Sequence, residues 1–83
     1  MDVQSILFPR SQWGLQMAKL WAKEHGYTLK HGVDLNDGLY YRVRQRAPQK
    51  GAKCRRKTIR SRTHGADVVL LLCDRPYGGL LIV

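Results

Sequence analysis

Several patterns that would identify an enzyme or a metalloprotein are missing from this 83-residue chain. The sequence contains neither a C-x-x-C nor an H-x-x-x-H pair, which are spacings typical of zinc sites. Its six acidic residues are too few and too scattered for the converging carboxylates of a two-metal nuclease. We therefore expect a protein that is not an enzyme and that needs no cofactor or metal.

Long hydrophobic runs and a secretory signal are also missing. The longest apolar run, residues 68–73, is far shorter than the about 20 residues that a membrane helix needs. Two cysteines do not make the disulfide framework of a small secreted domain. We expect an intracellular protein, in the cytoplasm or nucleus of a host cell or in a virion. Cys73 is then a core thiol and Cys54 a reactive thiol candidate, with a single disulfide between them as the alternative.

Acidic residues are absent from one long stretch, residues 40–62, which contains ten Lys or Arg. The other sixty residues carry five positive and six negative side chains, so the formal charge of +9 is local. A local field of one sign usually faces a polyanion, either nucleic acid, an anionic membrane or an acidic protein. The basic residues are not combined with an amphipathic apolar face, so we expect no membrane partner.

Residues 12–25 have helical periodicity, with apolar side chains at three- and four-residue steps. Ser11 stands where an N-cap belongs, and Gly26 can adopt the left-handed conformation that ends a helix. Trp13 and Trp21 lie on the apolar side of this helix, and we interpret them as core residues and not as a partner surface.

The rest of the chain has the alternation and turn residues of short strands. A turn with positive φ is predicted at 36–38, and strands are predicted at 5–8, 39–46, 56–62, 67–74 and, as a last strand or docked tail, 80–83. Short connections favour antiparallel neighbours. The prediction is one α+β domain, residues 1–83, with one helix packed on a mainly antiparallel sheet of four to six strands in a two-layer sandwich.

Arginines occupy alternate positions in two of the predicted strands. Strand periodicity places Tyr40 and the basic residues Arg42, Arg44 and Arg46 on one face. It also places Arg56, Arg60 and Arg62 on one face of the next predicted strand. If the two faces align, these six arginines form a plaque that must face solvent or a partner, because buried unpaired guanidinium groups are prohibitively costly. Ten positive charges without an acid favour a binding surface over a merely solvated one.

A second basic element is a predicted mobile loop at about 47–55, rich in Pro, Gly and small residues. With the residues that follow it, this loop could form a flexible arm along a phosphate backbone or a nuclear localisation signal. The residues of the predicted arm are Lys50, Lys53, Arg55, Arg56 and Lys57.

The first half of the chain also carries a recognisable order of motifs. "SILFPRSQW", "AKLWAKEHGY" and "VDLNDGLYYRVRQR" follow one another within residues 5–46. This pattern resembles a short uncharacterised domain that recurs in large eukaryotic DNA viruses and tailed phages. The resemblance implies a viral or phage origin and assigns no activity to any residue. The basic loop and the C-terminal end depart from the pattern.

Together these features predict a non-enzymatic module that binds DNA or RNA through largely sequence-independent phosphate contacts. Tyr40 is the candidate for base stacking. The alternative is a structural or adaptor protein, such as a minor virion component, that uses the same basic face against an acidic protein. An exposed edge strand would also permit a homodimer.

Overall fold

The computed structural model describes residues 2–47 and 51–74. Within them the chain forms β1 (Asp2–Pro9), α1 (Leu15–Glu24), β2 (Val33–Asp34), β3 (Tyr40–Arg44), β4 (Cys54–Ser61) and β5 (Ala66–Cys73). The strands make one sheet of order β2-β3-β1-β5-β4, and every neighbouring pair is antiparallel. The predicted α+β class, with one helix on an antiparallel sheet, is confirmed. The element predicted at 80–83 lies outside the described residues.

The central strand is β1, which is longer than the segment that the sequence predicts. Ile6, Leu7 and Phe8 are fully buried, so β1 is apolar on both faces, as a strand in the middle of a sheet should be. Its register shifts between Val3 and Ser5 on the side that pairs with β5. This irregularity leaves Gln4 as an extra residue in β1, as in a β-bulge.

Helix α1 begins later than predicted, and the N-cap prediction at Ser11 is wrong. The backbone N–H groups of Gln12 and Trp13 both donate to the carbonyl of Pro9, so this segment forms a turn after β1. Gly14 occupies the N-cap position and makes no side-chain cap bond. Trp13 therefore precedes the helix, and its indole Nε1 donates to the carbonyl of Asp67 at 2.7 Å.

The C-terminal end of α1 agrees with the prediction. Gly26 has a φ of +81°, and its N–H donates to the carbonyl of Lys23. The N–H of Tyr27 donates to the carbonyl of Ala22. This pair of bonds is a Schellman motif, which satisfies carbonyls that the helix end would leave without partners.

One face of the sheet, called here the covered face, packs under α1 and the segment that precedes it. Phe8 contacts the rings of Trp13 and Trp21 edge to face, with centroid distances of 5.2 and 5.7 Å. Trp13 and Trp21 are 5% and 3% exposed, so their assignment to the core is confirmed. The same cluster contains Ile6, Ala18, Ala22, Val43, Ala66, Val68 and Leu70.

The turn predicted at 36–38 connects β2 to β3 but does not use positive φ angles. Neither Asn36 nor Gly38 has one. Instead, the carboxylates of Asp34 and Asp37 accept hydrogen bonds from the backbone N–H groups two residues ahead. Such side-chain bonds stabilise turns without a left-handed residue.

Candidate nucleic-acid interface

The predicted arginine faces exist, and they lie on the side of the sheet opposite α1, called here the open face. Strand alternation in β3 places Tyr40, Arg42 and Arg44 opposite the open-face residues of β1. Alternation in β4 places Arg56 and Arg60 on the open face too, because they pair with open-face positions of β5.

The two arginine strands are not neighbours, which corrects the idea of a continuous plaque. Strands β1 and β5 lie between β3 and β4. Because neighbouring strands are about 4.8 Å apart, the two rows of arginine are separated by about 14 Å at the backbone. Between them the open face is mainly apolar: Leu7 is fully buried, Val69 is 7% exposed and Leu71 is half-buried.

Carboxylates hold three of the six predicted arginines. Arg44 lies 3.7 Å from Asp34, and Arg60 lies 3.2 Å from Asp67. Arg46 lies 3.2 Å from Asp2 and also donates to the carbonyl of Cys73. These pairs are partly exposed, so each contributes at most about 1 kcal/mol and can be exchanged for another anion.

Two open-face arginines have different environments. The guanidinium carbon of Arg56 lies 5.8 Å from the ring centre of Tyr40, a contact that crosses the face above β1 and β5. This is a cation–π interaction between the two arginine rows. Arg42 is half-buried, and its Nε is inaccessible to solvent and has no hydrogen-bond partner within the described residues.

A cavity of about 130 Å³ lies on the open face beside the arginines of β3. Its walls combine guanidinium groups with carbon and sulfur atoms. The residues that line it are Gln4, Arg42, Arg44, Arg46, Ala47, Ala52, Cys54, Leu71, Cys73 and Asp74. No pattern in the sequence indicates this cavity, because its walls come from segments distant in the chain.

The predicted basic arm is largely part of the sheet. β4 begins at Cys54, so Arg55, Arg56 and Lys57 are strand residues and not members of a flexible arm. Arg55 and Lys57 are exposed and point to the covered face, opposite to Arg56. Lys53 is exposed just before β4. Lys50 lies outside the described residues.

Arg62 also lies apart from the other predicted arginines. It follows β4 in the turn toward β5 and lines a groove with Trp21, His25 and His64. In this groove Ser61 Oγ and His64 Nδ1 are 3.0 Å apart. The hydroxyl also accepts from the backbone N–H of His64, so the contact belongs to the turn. Within residues 2–47 and 51–74 no carboxylate is hydrogen-bonded to the imidazole, as a catalytic triad would require.

The cysteines form a disulfide, and the predictions of a core thiol and a reactive thiol are therefore wrong. Cys54 and Cys73 are directly opposite residues of β4 and β5, with Cα atoms 4.0 Å apart. Disulfides persist chiefly in oxidising compartments, so this pairing counts against the predicted location in the cytoplasm or nucleus. The sequence signal was only the count of two cysteines, because the pairing depends on the β4–β5 register.

Metal and membrane sites were sought in the same part of the chain. Residues 2–47 and 51–74 contain no group of three or more His, Cys, Asp or Glu side chains that could hold a metal ion. Helix α1, with ten residues, is the only helix of this part and is too short to cross a bilayer.

Comparisons with known proteins assign no function to the open face. The predicted resemblance to a viral and phage domain therefore stays a prediction. No protein-family model matches this chain, and neither a curated protein nor a solved structure matches it.

Proposed function

We propose that this protein is a non-enzymatic nucleic-acid-binding module whose open face contacts phosphate groups. The observation that carries the proposal is the presence of two rows of arginine on one sheet face that α1 does not cover. Guanidinium groups match phosphate geometry and also stack on bases. The contacts are mostly to the backbone, so binding is largely independent of sequence.

The ion pairs on this face are consistent with a phosphate surface. Asp34 and Asp67 hold Arg44 and Arg60 in extended positions on the face without burying them. A phosphate that approaches can share or displace the carboxylate, because exposed pairs are weak. Arg42 and Arg56 have no carboxylate partner in the described residues, and they are the first candidates for direct phosphate contacts.

The test is fluorescence anisotropy with labelled single-stranded DNA, single-stranded RNA and duplex DNA, between about 50 and 200 mM salt. Affinity should fall steeply as the salt concentration rises, because phosphate contacts release counterions. The variant Arg56→Gln should weaken binding several-fold and flatten the logarithmic salt slope by about 0.7 on single strands or 0.9 on duplex.

Arg55→Gln is the matched control for this test. Arg55 and Arg56 are adjacent, both are exposed, and they point to opposite faces of β4. The control removes the same charge and should have a clearly smaller effect. A salt slope near zero, or an Arg55→Gln effect as large as that of Arg56→Gln, would contradict the proposal.

The second candidate function is an adaptor for an acidic protein, and the position of β4 favours it. β4 is the longer of the two outer strands of the sheet, so one backbone edge of Cys54–Ser61 has no strand partner in the described residues. An acidic extended segment could add to this edge. A second copy is less suited, because antiparallel self-pairing would bring like charges together. This candidate predicts a defined protein complex and weak, non-saturating binding to nucleic acid.

A further inference from the structure

The cavity on the open face has walls that are unlike a plain phosphate site. Ala47, Ala52, Leu71 and the Cys54–Cys73 disulfide supply apolar surface beside the arginines that line the cavity. Apolar walls with a small number of directed polar groups are typical of sites for small organic rings.

The charges around the cavity are close to balanced. Arg44 and Arg46 are paired with Asp34 and Asp2, and Asp74 lies on the cavity wall. A multiply charged phosphate would therefore bind less favourably in the cavity than on the exposed parts of the open face. An uncharged planar group avoids this limit and can stack against a guanidinium plane.

Arg42 supplies the directed polar group. Its side chain lines the cavity, and no carboxylate in residues 2–47 and 51–74 forms an ion pair with it. A ligand with a carbonyl oxygen in the cavity can accept from this guanidinium group, which carries five N–H donors.

The volume limits the ring system. An apolar cavity of about 150 Å³ holds a benzene ring. At about 130 Å³ and open to solvent, this cavity suits one six-membered ring and is too small for the two fused rings of a purine.

We propose that the cavity binds a single pyrimidine base, unstacked from a single strand, with a base carbonyl accepting from the guanidinium group of Arg42, which lines the cavity. This inference rests on the proposed function and adds a preference to it. Phosphates on either side of the base would lie along the exposed arginines of the open face. Single-stranded segments rich in pyrimidine are then preferred over purine segments and over duplex.

The experiment compares labelled oligo(dT) and oligo(dA) of equal length by fluorescence anisotropy, with the disulfide kept oxidised. Wild type should bind oligo(dT) about fivefold more tightly or better, the lower end of what one stacked base contributes. Arg42→Lys keeps the charge but removes the planar fork, so it should bring the two affinities together with little change in salt slope. Arg55→Lys, outside the cavity, should keep the preference.

Ala52→Leu is a second variant that leaves every charge in place. Ala52 lines the cavity, so the larger side chain should occupy part of its volume and should also remove the preference for oligo(dT). This variant keeps the test decisive if Arg42→Lys does not fold. A preference that survives Ala52→Leu would come from self-stacking of the oligo(dA) strands and would overturn the inference.

The failures of the two proposals are distinguishable. Equal, salt-sensitive binding of both wild-type oligonucleotides would overturn the pyrimidine site and leave the phosphate-binding function standing. No saturable binding of either oligonucleotide would overturn both.

Discussion

On the covered face, Phe8, Trp13 and Trp21 meet edge to face with centroids no more than 6.4 Å apart, and the neighbouring residues are apolar. On the open face, a disulfide, three ion pairs and one cation–π contact hold the residues around an apolar centre. Contacts of the first kind work by excluding water and fail when a ring is removed. The disulfide of the open face is covalent, but its ion pairs and cation–π contact can exchange one partner for another, which is what a binding surface needs.

The largest effect should come from breaking the covered face. Phe8→Ala removes a fully buried ring that contacts both tryptophans and leaves a cavity in the core. We expect the free energy of unfolding to fall by about 3–5 kcal/mol. Urea unfolding followed by circular dichroism measures it.

Thr58→Ala is the control for Phe8→Ala on the open face. Thr58 is exposed on β4, so its truncation should change stability by no more than about 0.5 kcal/mol. Equal losses of unfolding free energy in Phe8→Ala and Thr58→Ala would show that the covered face contributes no more to stability than the open face.

The second-largest loss of stability should come from reducing the disulfide between Cys54 and Cys73. Cys54 and Cys73 are separated by 19 residues, and a closed loop of this size stabilises a fold by about 3 kcal/mol through the unfolded state. A reducing agent should lower the Tm of the wild type and leave the Cys54→Ala/Cys73→Ala variant unchanged. Alkylation of two thiols in the unreduced protein would contradict the pairing itself.

The smallest effect on stability should come from one ion pair. Asp67→Asn removes the carboxylate partner of Arg60, whose side chain is 66% exposed. The free energy of unfolding should therefore change by less than about 1 kcal/mol. If the open face contacts phosphate, the same change should tighten nucleic-acid binding and steepen the salt slope by up to about 0.7 on single strands.

Asp37→Asn makes the same change in net charge in the loop between β2 and β3, away from the arginine rows. Its effect on binding should be smaller than that of Asp67→Asn. Equal gains from the two variants would indicate that only net charge matters and that the open face has no special role.

The features that were predicted correctly depend on residues near one another in the chain. Alternation in β3 and β4 assigned the arginines to one side of each strand, because side chains in a strand point to opposite faces in turn. Gly26 was recognised as a helix end, because glycine adopts positive φ readily. The segment 67–74 was correctly predicted as a strand, which the structure has as β5 (Ala66–Cys73).

The features that were missed depend on which strands are neighbours. Strands β1 and β5 lie between the two arginine rows. The sequence analysis had allowed the two rows to align as one plaque. The same pairings bring Asp34 and Asp67 to their arginines and Cys54 to Cys73. They also enclose the cavity beside Arg42.

Local patterns were therefore sufficient for the class of fold, the side of each strand and the sign of the charge. Strand order, charge neutralisation, the disulfide and the cavity required the tertiary structure. The physical reason is that alternation and helix capping act over a few residues, whereas strand pairing selects partners that lie far apart in the chain.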